Sequence, residues 1–253
     1  MAPQAVVSSA QPAKIWVVER LSEHVATLVM FVLYAAITVG WIILDVRAIG
    51  ALLSGDGRLL RHAVDALNST LTMLFYVAIT VIIPIRKPML RQARGLSGLV
   101  LPIVVMFAFV TVGVNEPRHI AAPLTVLATA LLILGVSFML YAIRHLGRHF
   151  DLAPNVRGLV TAGPYRFVRH PLYAGEIITL TGVMLRSLTP LAIVAFVIAV
   201  SFQLWRARIE ERALTTVFPE YADYARVTPM LIPLTARVFM RRASVAITSS
   251  AGD

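Results

Sequence analysis

Four long apolar runs without a charged residue constrain this chain more than any other feature. They cover residues 25–44, 67–85, 95–114 and 121–143, and each is 19 to 23 residues long. A helix needs about 20 apolar residues to cross the roughly 30 Å hydrocarbon core of a bilayer. Four such runs are improbable in a soluble protein. The sequence therefore predicts an all-α integral membrane protein with about four full transmembrane helices.

A fifth apolar region, residues 172–205, has a different pattern. The pair Arg186-Ser187 lies near its middle and divides it into arms of 14 and 18 residues. These lengths predict two short helices in a hairpin. Whether the first arm crosses the whole membrane stays open.

Basic residues predict the orientation in the membrane. The chain has 23 Lys and Arg residues against 13 Asp and Glu, a net charge of +10. When the amino terminus is placed in the cytoplasm, most of these basic residues fall on the cytoplasmic side, as the positive-inside rule requires. We therefore expect a multi-pass protein with both termini cytoplasmic. We also expect the membrane, and no nucleic acid, to be the partner of this charge.

Composition divides the chain into four parts. Residues 1–24 and 240–253 are predicted to be loose tails. Residues 25–143 form the predicted four-span membrane region, and residues 144–239 carry most of the motifs that suggest chemistry. In the first half, Asp45, Asp56 and Asp65 are isolated and are predicted to be solvated loop charges. No part of the sequence indicates the oligomeric state.

The sequence gives little reason to expect a metal site. It contains no cysteine, which excludes disulfides, thiolate metal ligands and a cysteine nucleophile. His145 and His149 would share a helix face and could bind metal, but this spacing occurs once among only six histidines. We favour the interpretation that they are basic side chains at a helix carboxyl end, where cations interact favourably with the dipole. No metal is predicted.

The segment before the hairpin is rich in basic residues. Gly163–Pro164 is typical of a turn, and His170–Pro171 is predicted to begin the first helix of the hairpin. Arg166, Arg169 and His170 then lie beside that helix amino terminus. Positive side chains and free backbone N–H groups together favour an anion site. Anchoring to lipid headgroups by Arg and Tyr is the alternative.

Acidic residues near this segment suggest a paired or functional role. Glu176 lies one turn into an apolar arm, where an ionisable group is costly. Its candidate partners are Arg166, Arg169 and His170. Glu210 and Glu211 follow the second arm; their spacing from Arg206 and Arg208 also permits plain surface salt bridges.

The carboxyl-terminal part resembles the isoprenylcysteine carboxyl methyltransferase and phospholipid methyltransferase superfamily of integral membrane enzymes. The resemblance covers about 90 of the 253 residues, and its specificity comes from the order and spacing of the pieces. Pro219 departs from the glycine that the superfamily usually has there. The matching pieces are Leu146-Gly147-Arg148, residues 163–173, Glu210-Glu211, Leu214, Phe218, Tyr221, Tyr224 and Ile232-Pro233.

The resemblance implies S-adenosylmethionine as cofactor and a lipidic or small apolar methyl acceptor: an isoprenylcysteine carboxylate, a phospholipid amine or a thiol. We predict catalytic roles for Arg169 and Glu176. The residues that the resemblance implies for cofactor binding are Gly163, Tyr165, Arg169, His170, Pro171, Tyr173, Glu210, Glu211, Tyr221 and Tyr224.

Two other functions are compatible with a membrane protein of this kind. Membrane sterol reductases share a related carboxyl-terminal architecture and bind NADPH, although they are typically larger and have more spans. A non-catalytic scaffold or transporter would use the same motifs only as interfacial anchors. We rank both below methyl transfer.

Overall fold

The computed structural model describes residues 11–54, 59–90, 121–151 and 155–232. The predicted span 95–114, the predicted tail 240–253, Asp56 and Pro233 lie outside the described residues. Within those ranges the secondary structure is helical, apart from turns and connecting segments. The α-helices are α1 (Gln11–Leu53), α2 (Leu59–Ile85), α3 (Ala122–Leu146), α4 (Pro171–Ser187), α5 (Pro190–Val217) and α6 (Tyr221–Val227).

Four of these helices are long and apolar enough to cross a membrane. The qualifying segments are Glu23–Leu53 in α1, His62–Ile85 in α2, Pro123–His149 around α3 and Pro190–Val217 in α5. The predicted all-α membrane fold is therefore confirmed. Three of the predicted spans fall in α1, α2 and α3, and α5 contains the second arm of the predicted hairpin.

The turn of the hairpin begins immediately after Ser187. Leu188 adopts a left-handed conformation with φ of 45°, which ends α4. The hydroxyl of Thr189 then accepts a hydrogen bond of 3.0 Å from the backbone N–H of Ala192, and Pro190 occupies the first turn of α5. With 17 residues, α4 is about 25 Å long, which is shorter than the roughly 30 Å apolar core of a bilayer.

The first helix differs from its prediction in two respects. It begins at Gln11, so the predicted loose tail is wrong over residues 11–24. Once a helix is nucleated, each added residue gains a hydrogen bond, and α1 can extend beyond its apolar run. Asp45 is also inside α1 and not in a solvated loop. It is 5% exposed and accepts hydrogen bonds of 2.7 and 2.8 Å from Ser69 and Thr70 on α2.

Close packing of α3 against α4 depends on glycines. A Cβ atom at Gly182 would lie 2.7 Å from the carbonyl oxygen of Ala128, and one at Gly135 would lie 2.9 Å from that of Gly175. Small residues allow helix backbones to approach in this way within membranes. The packing fixes the start of α4 beside the end of α3, and the residues of the candidate site gather there.

Candidate functional site

A cavity of about 550 Å³ runs between α1, α2, α3, α4 and α5. One end is lined by polar residues that include Arg157 and His170, and the other reaches Asn68 and Arg186. His170 and Arg186 are 16 positions apart, which corresponds to about 24 Å along a helix. The volume is within the range of small-molecule sites. The cavity thus joins a polar end to an interior within the helical bundle.

Arg169 lines the polar end of the cavity and is paired with Glu211. Arg169 Nε donates to Glu211 Oε1 over 2.7 Å, and its Nη1 donates to the carbonyl oxygens of Ala225 (2.8 Å) and Thr228 (2.5 Å). His170 Nε2 lies 3.2 Å from the same carboxylate oxygen of Glu211. Arg169 therefore ties α5 to the carboxyl end of α6 and to Thr228, which follows it. The spacing in the sequence also permitted a surface salt bridge between Glu211 and Arg208. In the structure, Glu211 is paired with Arg169 and His170.

Glu210 and Tyr173 form a second pair at the polar end. The Tyr173 hydroxyl donates to Glu210 Oε2 over 2.7 Å, and His170 Nδ1 is 4.0 Å from that oxygen. The rings of His170 and Tyr173 are stacked, with centroids 5.3 Å apart and an interplanar angle of 12°. The guanidinium carbon of Arg206 lies 5.0 Å from the Tyr173 ring centroid. Tyr173 thus contacts a carboxylate through its hydroxyl and a cation through its ring.

Three tyrosines also line the polar end of the cavity: Tyr165, Tyr221 and Tyr224. The Tyr224 hydroxyl donates to the backbone carbonyl of Tyr165, and the rings of Tyr221 and Tyr224 meet edge to face at 5.8 Å. Burial, followed by the charge of Glu210, raises the pKa of Tyr165 well above its ordinary value. Burial and the neighbouring Glu211 carboxylate raise the pKa of Tyr221. Both phenols therefore remain neutral in any ordinary buffer.

Gly163, predicted in a turn, and Pro171, predicted at a helix start, both have identifiable structural roles. Gly163 has a φ of +60°, and a Cβ atom there would lie 2.1 Å from the His145 ring. Pro171 occupies the first turn of α4 and is buried. Gly163 forms the turn before Arg169, and Pro171 begins the helix immediately after His170.

His145 and His149 contact different backbone carbonyls. His145 Nδ1 lies 2.9 Å from the carbonyl oxygen of Tyr141, and His149 Nδ1 lies 3.2 Å from that of Arg157. Within the described ranges, no group of three or more His, Cys, Asp or Glu side chains is arranged to hold a metal ion.

Glu176 faces the cavity but has a different partner from those expected. Gln203 on α5 donates to Glu176 Oε2 through its side-chain amide. The expectation of Arg166, Arg169 or His170 as partner is therefore wrong. Gln203 Oε1 in turn accepts from Arg206 Nη1 over 3.0 Å.

Sequence reasoning missed Gln203 and Arg206 as site residues. Both line the cavity with Glu210, and Arg206 is only 6% exposed. The spacing of Gln203, Arg206 and Glu210 at i, i+3 and i+7 puts the three on one helix face. This spacing could have identified Gln203 and Arg206 as neighbours of Glu210 from the sequence alone.

A buried ionic cluster around Asp151 was also missed. Arg86 Nη1 lies 3.1 Å from Asp151 Oδ1, and Arg157 Nε lies 2.6 Å from Oδ2. Arg157 Nη1 is also 2.9 Å from Oε1 of Glu23 on α1. The side chains of Arg86, Asp151 and Arg157 are 2%, 2% and 4% exposed. The cluster ties the segment after α3 to α1 and to the end of α2, and Asp151 and Arg157 line the cavity.

Known proteins match the part of the chain that builds this site. Residues 123–221 match the phospholipid methyltransferase family. The chain is 33% identical over 110 residues to protein-S-isoprenylcysteine O-methyltransferase B of Arabidopsis thaliana, a match covering 41% of this chain and 56% of that protein.

Two bacterial proteins are similar over shorter segments. The chain is 42% identical over 78 residues to the cobalt-zinc-cadmium resistance protein of Cupriavidus metallidurans, covering 30% of this chain and 35% of that protein. It is 42% identical over 77 residues to the nickel-cobalt-cadmium resistance protein of Alcaligenes xylosoxydans xylosoxydans, covering 30% and 36%. The matches span between about a third and just over half the length of these relatives.

Proposed function

We propose that this chain transfers a methyl group from S-adenosylmethionine to a lipidic or small apolar acceptor, because residues 123–221 match the phospholipid methyltransferase family and the chain is similar to an isoprenylcysteine O-methyltransferase. The main support for this proposal is the form of the cavity. A single cavity connects the polar cluster around Glu210 and Arg169 with an interior lined by apolar residues of the membrane helices. A polar cofactor and an apolar acceptor can meet in such a space.

The chemistry of the polar end fits the cofactor. S-adenosylmethionine has an ammonium, a carboxylate, a ribose diol and a flat adenine, and it supplies a methyl group on a positively charged sulfonium. The Glu210 carboxylate suits the ammonium or the ribose hydroxyls. The rings of Tyr165, Tyr221 and Tyr224 offer apolar faces and neutral hydroxyls for the adenine and ribose.

The remaining predicted residues would hold this arrangement together. Arg169 holds Glu211 and two carbonyls at the carboxyl end of α6. We therefore assign it a positioning role, with its charge facing the cofactor carboxylate. His170 and Tyr173 orient Glu210. Glu176, one turn beyond Tyr173 on α4, faces the acceptor side of the cavity.

Methyl transfer of this kind needs positioning more than covalent help from the protein. The residues bind and orient the reactants, and the apolar helices exclude water from the space between them. No enzyme nucleophile is required, which agrees with a chain that contains no cysteine.

Calorimetry on the purified full chain in a neutral detergent tests the proposed function. We expect saturable binding of S-adenosylmethionine and none of NADPH, with loss of the signal when His170 and Glu210 are both changed to alanine. Binding of NADPH alone would favour a sterol-reductase type of enzyme, and binding of neither would favour a scaffold or transporter. Either result would overturn methyl transfer.

We also propose that the site lies on the cytoplasmic face, with both termini on that side and residues 144–239 forming the cofactor-binding region. The absence of native cysteines makes a labelling test free of background. In sealed right-side-out vesicles, an impermeant maleimide should label Ser54→Cys at once and Thr161→Cys only after permeabilisation. Ser54 and Thr161 are both exposed. The reverse pattern would overturn the orientation.

A further inference from the structure

We propose that the His149 side chain gates a passage through which S-adenosylmethionine enters the polar end of the cavity and S-adenosylhomocysteine leaves it. The inference rests on the proposed function, because it concerns the route of the same cofactor. It goes beyond that function by giving a role to a histidine that neither a metal site nor the polar cluster around Glu210 and Arg169 uses.

A second groove of about 600 Å³ adjoins the polar end of the cavity, and we call it the side groove. Lys87 and Glu220 are exposed and lie just beyond the candidate spans in α2 and α5, so the side groove is open to the aqueous phase. These two charges have opposite signs, which favours a passage over a site that retains one kind of ion. The residues that line the side groove but not the cavity are Lys87, Leu90, Thr161, Phe218 and Glu220.

The boundary between the side groove and the cavity is formed by the residues that line both: His149, Arg157, Gly158 and Leu159. Arg157 is fixed by the buried ionic cluster around Asp151. Leu159 packs against a hydrophobic cluster at the end of α5. Because Gly158 has no side chain, His149 contributes the side chain of this boundary that can move without breaking ion pairs or apolar packing.

The His149 ring is held in place by few contacts. Its Nδ1 donates to the carbonyl oxygen of Arg157 over 3.2 Å, and among the residues that the structure describes this is the hydrogen bond that holds the ring. The ring also lies against the backbone of Gly158, where an added Cβ atom would be only 1.9 Å from Nδ1. The net contribution of one hydrogen bond is small, so the ring can leave this place at a modest cost.

Turnover requires the polar end both to close and to open. Closure excludes water during methyl transfer. Tyr165 and Tyr173 are each 6% exposed, which shows that the polar end is shielded when the His149 ring is in place. Opening is required in every cycle, because the charged cofactor and its product exchange with the aqueous phase. Rotation of the His149 ring away from Gly158 would join the two spaces without any movement of a helix.

Exchange kinetics of radiolabelled S-adenosylmethionine, measured by rapid filtration on the full chain in a neutral detergent, test the gate. We expect His149→Ala to raise the association and dissociation rate constants by the same factor, about twofold to tenfold, and to leave the dissociation constant unchanged. Gly158→Ala should have the same effect, because its Cβ atom displaces the ring. A side chain that contacted the bound cofactor would instead change the dissociation constant.

A covalent plug in the side groove tests the passage itself. Thr161→Cys gives the cysteine-free chain a single thiol at an exposed position of the side groove. After reaction with a bulky maleimide, we expect this variant neither to take up S-adenosylmethionine when empty nor to release it when loaded. The matched control is the same label on Ser54→Cys, which is exposed and lines neither space, and which should exchange normally.

The possible results separate this inference from the proposed function. Exchange by the labelled Thr161→Cys variant at the rate of the labelled Ser54→Cys variant would overturn the passage. A changed dissociation constant in His149→Ala, or unaltered rate constants in both gate variants, would overturn the gate. The proposed function would stand in these cases, because the chain still binds the cofactor. Absence of S-adenosylmethionine binding to the unaltered chain would overturn the proposed function and this inference together.

Discussion

Changing Glu210 to glutamine is expected to weaken S-adenosylmethionine binding by about tenfold to a hundredfold. Glutamine keeps a side-chain oxygen that can accept from Tyr173, now 2.7 Å from the carboxylate, but it removes the negative charge. A hydrogen bond to a charged group contributes about 1.5–3 kcal/mol, which corresponds to that change in affinity. Calorimetry on the purified variant measures the effect.

Two further variants make the Glu210 result specific. Tyr173→Phe removes the hydroxyl donor but leaves the charge, so its effect should be smaller than that of Glu210→Gln. Glu220→Gln changes an exposed acidic residue outside the polar cluster and should bind the cofactor normally. If Glu210→Gln bound S-adenosylmethionine as tightly as Glu220→Gln does, the cofactor role of Glu210 would be wrong.

Much of the architecture could be predicted because membrane helices depend on local composition. Apolar length alone located α2 and α3, and the Arg186-Ser187 interruption located the end of α4 within one residue. The segment from Gly163 to Tyr173 was predictable for a similar reason. Its turn, its helix start and its basic side chains are all encoded within eleven neighbouring positions.

Partners that are distant in sequence could not be predicted in the same way. Glu176 and Gln203 are 27 positions apart, and Asp151 and Arg86 are 65 apart. Which of several polar side chains meets a buried carboxylate depends on how the helices rotate and pack. Glycine contacts between α3 and α4 set part of that geometry. The sequence could therefore indicate that Glu176 needs a partner without identifying Gln203.

Asp45 illustrates the same limit in a different place. Its position just after an apolar run suggested a loop, but α1 continues through it. Ser69 and Thr70 on α2 then satisfy its carboxylate inside the bundle. Hydropathy gives the minimum length of a span, while the helix itself ends where hydrogen bonding and packing end.

Changing Asp151 to asparagine is expected to destabilise the fold by about 3–5 kcal/mol. The carboxylate contacts Arg86 and Arg157, and all three side chains are at most 4% exposed. Removing one partner from a buried ion pair costs this much because it leaves an uncompensated buried charge. Here two guanidinium groups would lose their shared anion. Denaturant unfolding of the purified chain in detergent measures the change.

The matched control for Asp151 is Asp223→Asn. Asp223 also pairs with an arginine, Arg226, at 2.9 Å, but these side chains are 79% and 76% exposed. Exposed pairs contribute at most about 1 kcal/mol, so this variant should unfold like the unaltered chain. Because Asp151 and Arg157 also line the cavity, Asp151→Asn should weaken S-adenosylmethionine binding even where the protein remains folded. Equal stability of the two variants would mean that the buried cluster does not anchor the cofactor-binding region to α1 and α2.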